Sequence, residues 1–318
     1  MKKFVVFALA SIILTSCSKN DKIKAEAEDI PVAIEVDRYD KAFFGTKPQD
    51  LQKLKAKYPY FFPTNVSDSA MIEKMTNPLW RELYKEVEKR YDNFDLEKEG
   101  IEDLFKYIKF YYPKTRTPKV VTLIHDMDPQ YKAIYTDSLV IVSLEMYLGK
   151  NHKFYEYPEY LKKTFEPSQI LPDIVQSFSY GKVKPPMERD FLSQMIYAGK
   201  QLYLKDILLP EYSDEDKICY TADEIKWCEE HDVDVWRFFI DEKLLYSTDS
   251  KLLPKFIEPG PFSKFGLVND NETPGRVGAW IGWQIVRAFM DNNDIPAQQM
   301  FLMDAKEIFQ KSKYKPTK

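Results

Sequence analysis

Ile72, Met75, Leu79, Leu83 and Val87 recur at spacings of three and four through Ser67–Arg90. That period gives an α-helix one buried side and cannot do the same for a strand. Pro78 interrupts or restarts the pattern, because proline suits a first turn and not a helix interior. The same spacing returns in Ile101–Tyr111, which Gly100 separates from the segment before it and Pro113 stops. A helix opened by Pro167-Ser168 has Leu171, Ile174, Val175 and Phe178 on its buried face. Asp190–Tyr203 aligns Leu192, Met195, Ile196, Gly199 and Leu202, and Arg276–Met290 aligns Val277, Ile281, Ile285 and Phe289. In the last of these, Gly278 and Gly282 stand four apart and admit a close helix contact at some cost in propensity. With 21 Tyr and 21 Phe against 10 Gly, the chain suits helices packed through aromatic rings, not a glycine-rich nucleotide fold.

Strand signals are few. Ile30–Val36 alternates, with Pro31 near an edge or start, and the β-branched runs Val120–Ile124 and Ser138–Leu144 flank an Asp-containing polar stretch. Further helices are expected over Pro48–Tyr58, Phe154–Phe165 and Ala297–Lys311, with Val233–Leu245 continuing the packing and Pro254–Pro261 as a rigid loop. Thr221 and Glu224 have the spacing of a capping box. The expected fold class is α+β, predominantly α-helical with a small sheet, in a single globular domain over 30–318 with no interdomain linker.

The first residues read as an address. Lys2 and Lys3 precede the apolar run Phe4–Leu14, which at about 11 residues is too short to span a bilayer and suits a secretory signal. Leu14-Thr15-Ser16-Cys17 then resembles a bacterial lipoprotein signal. The resemblance implies a signal peptide over 1–16, cleavage before Cys17, diacylglycerol on its thiol and acylation of its amine. Residues 17–29 read as a lipidated polar tether. Several acyl chains anchor a protein stably where one does not. Ser18, in place of Asp, does not signal inner-membrane retention, so the expected location is the outer membrane; the periplasmic face is the expected side, although Ser18 does not choose between the leaflets. A formal net charge of −4 argues against broad capture of nucleic acid or anionic lipid, though not against a local basic patch.

Catalytic motifs are missing. The histidines are His125, His152 and His231, and the chain has no HExxH, no GxSxG, no phosphate-binding glycine loop and no CxxC. His125 and Asp128 could meet at a strand end, although a plain solvent loop explains them. Cys219, Cys228 and His231 could hold zinc; a Cys219–Cys228 disulfide is the more economical reading in an oxidising envelope. Asp291-Asn292-Asn293-Asp294 and Asn269-Asp270-Asn271-Glu272 offer oxygens to calcium without EF-hand spacing and read as turns. No cofactor is expected. Trp280 and Trp283, three apart on one helix, suit core packing, and with Trp236 are also candidate partner contacts.

Four features occur together: the lipoprotein signal, Glu145-Met146-Tyr147-Leu148-Gly149 after a strand, the Ile170–Tyr180 helix, and Pro274-Gly275-Arg276-Val277-Gly278 at a helix start. Together they resemble the gliding-motility lipoprotein B family of Bacteroidota over the whole chain. That resemblance implies a role in gliding motility and type IX protein secretion. The family resembles, more distantly, zincin-like metallopeptidases, which implies a degenerate zincin-like fold. In that alignment Gln176 and Tyr180 replace the two histidine ligands, Ser177 the general base and Ala198 the third ligand. An amide, a phenol and a methyl group do not restore a zinc site.

The function these readings favour is a non-catalytic outer-membrane lipoprotein, a pseudoenzyme held at the bilayer by acylated Cys17. It would serve gliding and secretion through contacts with envelope proteins of that machinery, and not with nucleic acid. Two alternatives remain: an envelope peptide- or glycan-binding module on the zincin-like scaffold, and a cryptic metal-dependent hydrolase using His125, Asp128 or the Cys219/Cys228/His231 group.

Overall fold

A computed structural model describes residues 19–316; the signal over 1–16 and the acceptor Cys17 lie outside the described residues. The stretch expected to be a tether is α1 (Lys19–Glu28). Its outer side is charged, but Ile23 and Ala27 are four apart and form a narrow apolar seam. Ala27 is completely buried, Ile23 packs on the core, and Lys24 pairs with Glu211 at 2.7 Å. A segment that looked like linker by composition is therefore docked.

Four strands make one sheet: β1 (Val36–Arg38), β2 (Lys119–Leu123), β3 (Ala133–Tyr135) and β4 (Leu139–Ser143). Their order is β1-β2-β4-β3, with β1, β2 and β4 parallel and β3 antiparallel to β4. Only the last residue of the expected Ile30–Val36 strand is in the sheet. Val120, Thr122, Val140 and Val142 share one face by register and are fully buried. Leu123, Ile134, Ile141 and Ser143 share the other.

Between β1 and β2 lie α2 (Tyr39–Gly45), α3 (Leu51–Lys57), α4 (Asp68–Thr76), α5 (Pro78–Arg90) and α6 (Asp95–Tyr111). The break at Pro78 is local chemistry. Asn77 caps α5 by accepting from the Leu79 amide, Pro78 takes the first turn, and Ser67 caps α4. Leu83 and Val87 are buried as the stripe requires, whereas Leu79 is exposed. Gly100 does not break α6; it lies inside the helix, where an added Cβ would sit 3.2 Å from Leu171 Cδ1.

The second half is α7 (Glu159–Lys162), α8 (Ile170–Ser179), α9 (Phe191–Leu208), α10 (Asp214–Ile218), α11 (Ala222–Asp241), α12 (Leu252–Phe256), α13 (Val277–Asn292), α14 (Ala297–Met300) and α15 (Ala305–Ser312). The Phe154–Phe165 helix shrinks to α7 and one 3-10 turn, and Pro254 falls within α12. The expected final helix is divided by a turn after which Asp304 caps α15. The capping box at Thr221 and Glu224 is present, and α11 runs unbroken from it through Asp241.

The centre of this half is the α9–α13 pair. Gly199 and Gly282 face each other so closely that backbone meets backbone. Trp280 and Trp283 lie in this core, at 5% and 0% exposure, so they are not surface contacts for a partner; helix α13 is apolar nearly all round because other elements cover it. Trp236 is half-buried against Phe309 and Tyr314. Trp283 Nε1 donates to Asp206 at 2.8 Å, and the Arg287 guanidinium lies 3.7 Å from the Trp283 ring centre. Arg287 also grips Asp206 and Asp214 with paired hydrogen bonds of 2.6–2.8 Å, tying α9, α10 and α13 together.

Candidate functional site

The free side of the sheet opens onto an apolar groove of about 570 Å³. Its floor is Leu123, Ile134 and Ile141, its wall Phe43 and Phe44 of α2, and its lip Tyr60, Phe61 and Val66 of the loop before α4. The fold places these rings there because Pro59 stops α3 and Pro63 ends the next turn, leaving aromatic residues on chain that no helix buries. Tyr60 is 87% exposed and Tyr131 48%. An open set of rings of this kind marks an interaction surface more often than a lone apolar residue does.

At the polar rim, Lys74 pairs with Asp126 at 3.0 Å and lies over the Trp80 ring at 4.2 Å. Beneath the rim, Glu145 has no exposed surface. Its Oε1 accepts from the His125 amide at 2.9 Å, while Oε2 has no hydrogen-bond partner. Burial drives the carboxyl up to about 7, and the amides of Glu145 itself, His125 and Met127 offset only part of that. A raised acid is protonated in the folded state and ionised in the unfolded chain. Its stabilisation is complete below the unfolded value of 4.5 and declines as pH rises through about 7. Glu145→Gln is expected to be near neutral at pH 4.5 and to be stabilised relative to the native protein by about 3 kcal/mol at pH 8.5. Paired thermal melts across that range measure it, and parallel pH profiles for the two proteins would refute it.

His125 and Asp128 do not form a pair. His125 is exposed beside Asp126 at 3.8 Å, and Asp128 caps the following turn by accepting from the Gln130 amide. Cys219 and Cys228 are free thiols; the expected disulfide is absent. Cys228 is buried on the inner side of α11 and Cys219 ends α10 in a left-handed conformation, and burial raises both thiols above their ordinary value. His231 faces elsewhere, stacked on Trp227 with Nδ1 at 2.8 Å from that residue's carbonyl oxygen. Among the described residues no three His, Cys, Asp or Glu side chains gather to hold a metal.

The four positions expected to match a zinc centre have unrelated surroundings. Ser177 Oγ accepts from the Tyr135 amide at 2.8 Å, so it ties α8 to the edge strand. Tyr180 is 66% exposed and Ala198 is buried, while Gln176 is half-buried. No hydrogen bond or ion pair among the described residues joins the four. The two calcium candidates order their own loops: Asp270 accepts from the Gly266 and Leu267 amides, and Asn292 and Asn293 donate to carbonyls ending α13 and α15.

The two sequence stretches that are most distinctive turn out to be junctions. In Glu145–Gly149, Tyr147 donates to Asp173 at 2.8 Å, which in turn pairs with the buried Lys132 at 2.6 Å. Gly149 adopts φ +98°, a conformation that favours glycine. In Pro274–Gly278, Arg276 donates to the Ile218 and Ile257 carbonyls, Tyr220 donates to that of Gly275, and Gly278 packs on Phe256. The aromatic groove itself carried no signal in sequence, because its members come from five separate segments.

Residues 20–316 match the sequence family described as gliding motility protein GldB. No curated protein and no solved structure matches the chain significantly.

Proposed function

Because the chain belongs to the gliding motility protein GldB family, we propose that it is a non-catalytic outer-membrane lipoprotein supporting gliding and type IX secretion through protein contacts. Acylated Cys17 would hold the domain on the periplasmic face, and an apolar segment of an envelope protein would occupy the sheet-side groove. The observation that carries this reading is the aromatic lip, with Tyr60 and Tyr131 exposed above an apolar floor. Of the polar groups that might have served chemistry, Asp128 caps a turn and Ser177 ties α8 to the edge strand. No helix among the described residues is long and apolar enough to cross a membrane, and a lipid anchor supplies what such a helix would.

Val66→Glu and Tyr60→Glu put a charge on the lip without entering the core. Both variants are expected to accumulate and melt like the native protein, to lose gliding, and to lose co-purifying envelope proteins after gentle detergent extraction. Normal gliding in both variants, at normal protein level, would sink the groove as the docking surface.

A further inference from the structure

A second cleft, of about 590 Å³, lies where α6 ends. Tyr111, Tyr112 and Tyr135 line it, Lys114, Arg116 and Lys182 surround it, and Asp137 is the one carboxylate in its wall. None of the three cations makes an ion pair among the described residues. Lys182 lies over the Tyr112 ring at 5.2 Å, and the Tyr112 hydroxyl is buried with no hydrogen-bond partner. A polar atom in that state is costly unless something else satisfies it. Unpaired cations, tyrosine rings and an idle hydroxyl suit an anion that also carries oxygen acceptors.

The course of α1 says where this cleft sits. The Ile34 amide donates to Glu102 at 2.9 Å, Glu28 is within electrostatic reach of Lys106 and Tyr107, and Lys24 reaches Tyr107 and Glu211. Moving back along the chain thus moves forward along α6, so the two helices are antiparallel. At about 1.5 Å per residue, the five residues from Lys24 to Lys19 carry α1 as far as the five from Tyr107 to Tyr112 carry α6. In the sequence, Cys17 precedes Lys19 by two positions.

We propose that this cleft binds the phosphate of an anionic lipid headgroup in the leaflet that receives the Cys17 acyl chains. The leaflet assignment rests on the lipid anchor; the cleft's affinity for the headgroup does not. Tyrosine and basic side chains are the residues that favour a bilayer interface. Lys114, Arg116 and Lys182 bind the phosphate, and Tyr112 donates to one of its oxygens or to the glycerol. A peptide fits less well, because the outward amide of Tyr135 is already donated to Ser177, leaving no free edge there for an added strand.

The test uses the full-length protein in neutral detergent, titrated calorimetrically with dihexanoyl phosphatidylglycerol below its micelle concentration. Saturable binding is expected, at least tenfold weaker in the Arg116→Glu/Lys182→Glu double variant and severalfold weaker in Tyr112→Phe. Dihexanoyl phosphatidylcholine is expected to bind at least tenfold more weakly than the glycerol lipid. The proposal is overturned by no saturable binding, by equal binding of the two lipids, or by an unaffected double variant. Glycerol phosphate binding as tightly would assign the cleft to a free phosphate, and tetraglutamate binding as tightly would assign it to an acidic peptide; either overturns the lipid. Mass spectrometry of the same preparation reads acylation of Cys17 separately, so a failed anchor and a failed cleft are told apart.

Discussion

Gly282→Ala is expected to destabilise the protein by about 4 kcal/mol, more than overpacking usually costs. An added Cβ at that position would stand 1.8 Å from the Met195 carbonyl oxygen and 2.4 Å from its carbon. Those are backbone atoms of α9, so no rotamer change relieves the clash and the helices must separate. Separation exposes the seam on which Trp283, Ile285 and Val286 are buried. The helix propensity gained by alanine, about 1 kcal/mol, is too small to compensate. Gly199→Ala meets Gly282 at 2.2 Å from the other side and should cost a similar amount. The double variant should cost much less than the sum, because both substitutions force the same separation. Gly45→Ala is the control: nothing lies within 4 Å of its added Cβ, and its melt should match the native one. Denaturant unfolding of the four proteins decides the matter, and a native-like Gly282→Ala would mean that α9 and α13 do not touch as described.

Arg287→Ala is the second large effect, expected at about 3 kcal/mol, or on the order of a 5 °C fall in Tm for a domain of this size. The substitution leaves Asp206, whose side chain is 14% exposed, and Asp214 to share Lys217. It also strips the Trp283 ring of its stacked cation. Arg287→Lys should recover little, since an ammonium cannot reproduce two forked pairs. The loss should depend on pH in a defined sense. Burial alone would raise the Asp214 carboxyl, but its hydrogen bonds to Arg287 and that residue's charge hold it below the ordinary value of 3.8. A depressed carboxyl stabilises the fold above its unfolded value and loses that contribution as pH falls through the folded one. The gap between native and Arg287→Ala melts should therefore be full at pH 6 and narrow below pH 3.8. A gap independent of pH would show that lost packing, not charge, is the cause.

Local chemistry was legible wherever a residue acts on its own neighbours in the chain. The Thr221–Glu224 capping box, the restart at Pro78 and the helix over Ile170–Ser179 needed only spacing and capping groups. Gly100 misled because a glycine inside a helix and a glycine ending one look alike in sequence; the approach of Leu171 from α8 tells them apart. The residues around the groove were hidden for a related reason. Tyr60, Phe43, Ile141 and Tyr131 belong to separate segments, and only their packing on one side of the sheet brings them to one groove.

The sequence alone determined that the chain is mainly helical with a small sheet, which segments are amphipathic, that the zinc motif HExxH is missing, and which family it resembles. Each of these depends on periodicity or on the presence of a residue type. Tertiary structure alone decided that Trp280 and Trp283 are core, that Cys219 and Cys228 are free thiols, that α1 is docked, and that two clefts open at opposite kinds of surface, one apolar and one cationic. Those outcomes depend on which faces meet across long stretches of chain. An apolar or charged side chain has the same identity whether it is covered or left open, and only the packing of the other elements chooses between the two.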